Sequence, residues 1–236
     1  MARTAVWSVI AEVLKAEISA GSYAPGAKLP TEAQMAQRFG VNRHTVRHAL
    51  AALAEAGLVQ SKRGAGVFVT SVPTDYPLGR RVRFHQNVLA TGRTPSRRLV
   101  HMETRPATPA EAEALALPQG SLIHLVEGIS MADDLPMGLF RSALPAHRFP
   151  AFPEAMVRLG SITAALAEAG LHDYTRASTR LTAKVADAVQ AGHLQVAQGA
   201  PLLRSVTINV DDAGAPVEFG TSWFVGDRVT LTVVPE

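Results

Sequence analysis

Four side chains between residues 43 and 48, Arg43, His44, Arg47 and His48, recur at one-, three- and four-residue spacings. On a helix of 3.6 residues per turn they project away from a stripe formed by Val46, Ala49, Leu50 and Leu53. An apolar back and a basic front suit a helix that docks its front in the major groove of DNA. Arg43 or Arg47 can pair with guanine O6 and N7, and Asn42 with adenine or a phosphate. The hydroxyls of Thr31 and Thr45, with backbone N–H groups at helix starts, suit phosphate contacts. Farther on, Lys62 and Arg63 beside Gly64 and Gly66 make a basic tip for the minor groove or the backbone, the glycines permitting both the turn and a close approach.

A second group of residues points to anion binding. In YTRASTRLT, strict alternation places Tyr174, Arg176, Ser178, Arg180 and Thr182 on one strand face, where two arginines can converge on one anion. Ser161 stands where it can cap a helix whose first N–H groups attract negative charge. Glu218 suits a ligand hydroxyl or amine. Arg81, Arg83, Arg93, Arg97 and Arg98 raise the local potential, with no acidic residue between 81 and 100. A plainer reading leaves Arg176 and Arg180 facing water or paired with neighbouring acids, and Ser161 as a cap alone.

Other chemistry is absent from the pattern. Without cysteine there is no disulfide framework, thiolate nucleophile or Cys-ligated metal. His44 and His48 lie four apart but lack the glutamate of an HExxH motif, and the remaining histidines show no ligand spacing. Gly64-Ala65-Gly66 lacks the rest of a nucleotide-binding fingerprint, and no Ser/His/Asp arrangement is legible. We therefore expect no metal, no cofactor and no catalysis.

These residues need elements to hold them. Val6, Ile10, Val13, Leu14 and Ile18 give one amphipathic helix ending at Gly21. Thr31 and Gln34 stand in capping-box spacing at the head of a short second helix stopped by Gly40, and Asn42 caps a third that runs to Gly57. The spacing from second to third helix is that of a helix-turn-helix. LVQS and VFVT around KRGAG predict a hairpin, a wing. Residues 71–79, with Pro73 and Pro77 and no periodicity, read as a linker and hinge. We thus expect a winged helix-turn-helix over 1–70 and a second domain over 80–236.

In that domain, helices are predicted at Phe84–Thr91, Pro109–Leu115 with Thr108 as cap, Ile162–Ala169 and Lys184–Ala191. Strands are predicted at Leu122–Met131, Met137–Leu144, parts of Tyr174–Val185, Leu202–Val210, Val217–Val225 and Arg228–Val234. The pattern implies an α+β fold on a largely antiparallel sheet.

Charge follows a similar division. Residues 1–100 carry 14 basic and 5 acidic side chains, the remainder 9 and 15. Such a step suggests a basic part facing a polyanion. The 236 residues, 47% hydrophobic, suffice for ordinary cores. Glu12, Lys15 and Glu17 interrupt the first apolar stretch and no run approaches a membrane span, so a cytoplasmic location is expected.

The stretch LPTEAQMAQRFGVNRHTVRHALAALAEAGLVQSKRGAGVFV resembles the winged helix of the GntR family of bacterial transcription regulators. The resemblance implies that Arg43, Arg47, Arg63 and Gly64 occupy the positions of the family's DNA contacts. Ala33 replaces the usual arginine or glutamate two residues after Thr31. RFHQNVLATGRTPSRRLV, ADDLPM, GSITAALAEAG and DAGAPVEFGTSWFVGDRVTL resemble the UTRA effector domain of the HutC branch, similar in fold to chorismate lyase. RVRFHQN and TRLTAKVADA are most similar to PhnF-type regulators of phosphonate metabolism. Phe84, Ser161, Glu218 and Arg176 match pocket positions of that domain, whereas Glu127, Gly128 and Ser130 stand where sugar-phosphate-sensing relatives carry an arginine.

The resemblance implies a homodimer reading an inverted-repeat operator, repression as the commoner outcome, and a small anionic effector such as a phosphonate or phosphate ester. A sugar phosphate, a small acid of the histidine-pathway type, and a lyase-like enzyme fused to a DNA-binding domain are the other readings.

Overall fold

Side-chain caps start both helices of the expected helix-turn-helix. The Thr31 hydroxyl accepts from Gln34 N, and Gln34 Oε1 accepts from Thr31 N at 2.8 Å, a closed capping box. Asn42 Oδ1 accepts from Thr45 N at 2.8 Å. Between them Gly40 takes φ +66°, the left-handed conformation that lets the chain turn within two residues. The structure, a computed structural model, describes residues 5–23, 25–62, 64–70, 73–81 and 83–233, the Lys62 side chain excepted.

The chain divides into two units, Met1–Val72 and Pro73–Glu236. The first holds α1 (Val6–Ser19), α2 (Glu32–Phe39), α3 (Arg43–Glu55) and an antiparallel hairpin of β1 (Val59–Lys62) and β2 (Gly66–Val69). Ile10 and Leu14 of α1, Met35 of α2 and Val46, Leu50 and Leu53 of α3 close one core with Leu29, Val59 and Val69. Val6 and Val13, expected on that apolar face, are exposed instead. The helical period selects Ile10, Ala11 and Leu14 as the buried stripe.

The second unit contains β3 (Thr74–Pro77), α4 (Phe84–Ala90), β4 (Pro95–Pro106), α5 (Pro109–Ala114), β5 (Leu122–Ala132), β6 (Leu135–Pro145), α6 (Phe152–Leu159) and α7 (Ile162–Glu168), followed by β7 (Thr175–Val185), α8 (Ala188–Leu194), β8 (Pro201–Val210), β9 (Pro216–Val225) and β10 (Val229–Thr232). Six strands form one antiparallel sheet in the order β4-β5-β6-β9-β8-β7. One face packs on α6 and α7 through Phe149, Phe152, Met156 and Leu166, and α4 adds Phe84 and Val88 to a neighbouring cluster. The opposite face meets α8 through Leu139 and Trp223, while Phe219 joins the Leu115, Ile123 and Ala143 cluster beyond α5.

Four sequence expectations change here. The supposed linker supplies β3, which pairs in parallel with β10 and buries Tyr76. Its prolines mislead because this ribbon is only two strands wide and Pro77 ends the strand. β4 escaped notice because as an edge strand it is largely solvated and charged, masking the alternation. α6 escaped because Pro153, tolerated in the first turn, reads as a breaker. The helix expected at Lys184–Ala191 starts only at Ala188. Lys184 and Val185 extend β7, and the capping box of Asp187 with Gln190 sets the helix start.

Candidate functional site: recognition helix and cationic cavity

In the first unit, α3 buries Val46, Ala49, Leu50 and Leu53 and leaves Arg43, His44, Arg47 and His48 exposed, as the period requires. Asn42 and Thr45 are engaged in the cap, the Thr45 hydroxyl also donating to Asn42 Oδ1 at 2.9 Å. His48 stacks on Trp7 of α1, ring centroids 4.3 Å apart, which fixes one side of the exposed face. Arg47 is not free. Its Nε and Nη2 donate to the two carboxylate oxygens of Glu32 at 3.0 and 2.7 Å. Those bonds hold the Glu32 carboxyl below its ordinary range. Gly64 and Gly66 take φ +75° and +115° at the hairpin tip. Arg63 and the side chain of Lys62 lie outside the described residues.

In the second unit, the sheet face beneath α7 and α4 floors a cavity of about 70 Å³. Its wall takes Arg83 and Phe84 from the head of α4, Tyr76 from β3, Arg97 from β4, Ser142 from β6, Arg176 from β7, Asn209 from β8 and Glu218 from β9. Three guanidinium groups therefore meet one carboxylate. Glu218 is itself bonded, accepting from Ser142 Oγ at 2.6 Å and Asn209 Nδ2 at 2.7 Å. Arg97 lies over the Phe140 ring at 4.4 Å and Arg83 over Tyr174 at 5.0 Å.

Arg83 Nε, Arg97 Nε and Nη1, and Arg176 Nε and Nη1 are shielded from solvent with no hydrogen-bond partner; Asn87 Nδ2 is the only other such atom among the described residues. Native proteins satisfy nearly all such groups. Desolvation pushes the Arg97 and Arg176 guanidinium groups below their ordinary range, against the upward pull of Glu218 and nearby tyrosines. Burial, assisted by Glu218, drives the Tyr174 phenol up to about 12, so it stays a neutral hydroxyl bonded to Thr163 at 2.9 Å. Arg83 also pairs with Asp173 at 3.1 Å, so the cavity lining keeps a positive excess carried chiefly by Arg97 and Arg176 beside Glu218.

The expected effector set is thus gathered in part. Arg83, Phe84, Arg176 and Glu218 line the cavity. Ser161 does not; its hydroxyl accepts from Ala164 N and caps α7. Arg180 is also excluded, because a bulge between Arg176 and Ser178 breaks the strict alternation. Arg176 pairs with Asn209 on the cavity face, whereas Arg180 pairs with Val206, on the face opposite Thr207, and is exposed. In the sequence Arg97 stands only as one of a basic run; β4 places it on the cavity face and Arg98 on the other. The rest of that run disperses, Arg81 to Asp173 at 2.8 Å and Arg93 to Asp133 at 2.8 Å. Among the described residues no cluster of three or more His, Asp or Glu is arranged to hold a metal, and no helix is long and apolar enough to cross a membrane.

A winged helix with an exposed basic recognition helix, carried on one chain with a sheet domain enclosing a charged cavity, defines a DNA-binding transcription regulator. Residues 8–69 match the family of bacterial regulatory proteins described as gntR, and residues 90–230 match the UTRA domain. The chain belongs to the gntR family, in its UTRA-bearing, HutC-type branch. It is 38% identical over 230 residues to an HTH-type transcriptional regulator of Rhizobium meliloti (strain 1021), covering 97% of this chain and 94% of that one. It is 33% identical over 227 residues to a protein of Escherichia coli (strain K12) named "Probable transcriptional regulator PhnF", covering 89% and 88%. The crystal structure of PhnF from Mycobacterium smegmatis superposes with a TM-score of 0.67 at 27% identity, covering 98% of this chain and 99% of that one.

Proposed function

We propose that this regulator is a cytoplasmic homodimer whose affinity for an inverted-repeat operator is set by a small dianion, a phosphonate or phosphate ester, bound in the UTRA-domain cavity. The observation that carries this reading is the set of five unbonded N–H-bearing nitrogens on Arg83, Arg97 and Arg176, which line one cavity with a single carboxylate. A phosphonyl or phosphoryl group offers three oxygens to forked guanidinium donors and neutralises the excess charge. Similarity to proteins named PhnF supports the same class. Repression is the expected outcome, with the effector acting by its differential affinity for DNA-bound and free conformations.

Thermal melting of the full chain in chloride buffer, with and without a panel of methylphosphonate, 2-aminoethylphosphonate, phosphate monoesters, sugar phosphates and carboxylic acids, tests the assignment. A member of the phosphonate or phosphate-ester class at a hundredfold excess over its Kd should raise Tm by roughly 5–10 °C. Stabilisation by carboxylic acids alone, or by nothing in the panel, contradicts it.

A further inference from the structure

We infer that Glu32 is a positioning residue for DNA recognition, one that pre-aims Arg47 at a guanine; the inference rests on α3 being the recognition helix. A guanidinium has two bidentate edges. The carboxylate of Glu32 occupies the side-on edge, taking Nε and Nη2 at 3.0 and 2.7 Å. The end-on edge, Nη1 with the second proton of Nη2, is left to donate outward, and the Arg47 side chain is 66% exposed. That outward fork is the donor pair that matches guanine O6 and N7.

Both ends of the pair stand on rigid supports. Glu32 is the first residue of α2 behind the Thr31–Gln34 capping box, and Arg47 lies one turn into α3 behind the Asn42 cap. An unrestrained arginine loses its rotamer freedom when it meets a base; here that ordering is already accomplished in the free protein. Glu32 also sets a carboxylate beside Arg43 and Arg47 on the surface that faces DNA. Its charge weakens purely electrostatic binding to phosphates, which every sequence presents equally. Both effects act in the same direction, raising the ratio of specific to non-specific affinity.

The test uses the full-length chain, a duplex selected by the wild-type protein from a random library, and a shuffled duplex of the same composition. Arg47→Ala should lose at least tenfold in affinity for the selected duplex; if it does not, the assignment of α3 fails, and the inference with it. Glu32→Gln should bind the selected duplex about five- to twentyfold more weakly and the shuffled duplex at least as tightly as wild type, with an unchanged melting temperature. In the Arg47→Ala background the Glu32→Gln change should have no further effect on the selected duplex. An equal loss on both duplexes, or a full Glu32→Gln penalty without Arg47, overturns the inference, the latter because Glu32 would then read a base itself.

Discussion

A guanidinium stripped of water with two nitrogens unbonded is expensive, since each missing hydrogen bond to a charged group costs on the order of 1–3 kcal/mol. Arg97 is in that state, resting on Phe140 and Phe84 and facing Glu218 across a cavity. Arg97→Met, which keeps the length and apolar contacts but removes the charge, should leave the free protein as stable as wild type or about 1 kcal/mol more stable in chloride buffer. It should also abolish the Tm rise with a phosphonate. A large loss of stability would instead identify Arg97 as a structural staple. Residues of this kind were half legible beforehand. Arg83, Phe84, Arg176 and Glu218 could be named from type and position, but Arg180 could not be separated from Arg176 without knowing of the bulge. Tyr76 was hidden in what read as a linker.

Elements that frame the cavity depend on local devices that can be tested separately. Glu111 is 5% exposed and accepts from Arg105 at 2.8 Å through both oxygens, and from Thr108 N at 2.9 Å. Burial alone would push its carboxyl up, but the Arg105 and Thr108 hydrogen bonds outweigh it and hold the pKa at about 2, below the ordinary 4.5. A depressed carboxylate stabilises the fold above pH 4.5 and loses that contribution as pH falls toward 2. Glu111→Gln should therefore cost roughly 3 kcal/mol at neutral pH by denaturant unfolding, and the gap to wild type should close between pH 4.5 and 2. At the centre of the sheet, a Cβ on Gly138 would lie 2.6 Å from the Trp223 carbonyl oxygen and 3.2 Å from Phe224 Cα. Neither backbone can yield without separating β6 from β9, so Gly138→Ala should destabilise by about 1–3 kcal/mol, read from the same unfolding curves. Element type was legible wherever caps or alternation were strong, as in α2, α3, α5 and β5. It failed at β3, β4 and α6, where charge or proline concealed a pattern that tertiary packing nevertheless enforces.

Over the whole molecule, the charge step in the sequence has two origins. Residues 1–80 carry 9 basic and 5 acidic side chains, among them Arg43 and Arg47 of α3. The five arginines of residues 81–100 belong to the second unit. Arg81 and Arg83 meet Asp173, Arg93 meets Asp133, and Arg97 is reserved for the cavity. Part of the acidic excess farther along the chain therefore neutralises this segment. Chain leaving the winged helix enters β3, whose Tyr76 lines the cavity, and continues to Arg83 and Phe84 on the same wall. Under the proposed function, an anion bound at this wall would touch the segment that follows the DNA-binding unit, which is where the two sites can be coupled through one chain.

Fluorescence anisotropy of a library-selected duplex, titrated with the full-length chain at zero and saturating concentrations of the most stabilising phosphonate or phosphate ester, measures the coupling of the two sites. Duplex affinity should change at least fivefold, equivalent to about 1 kcal/mol, in the wild-type protein and not at all in Arg97→Met. Equal affinity with and without the anion in the wild-type protein, or an undiminished change in Arg97→Met, would contradict it.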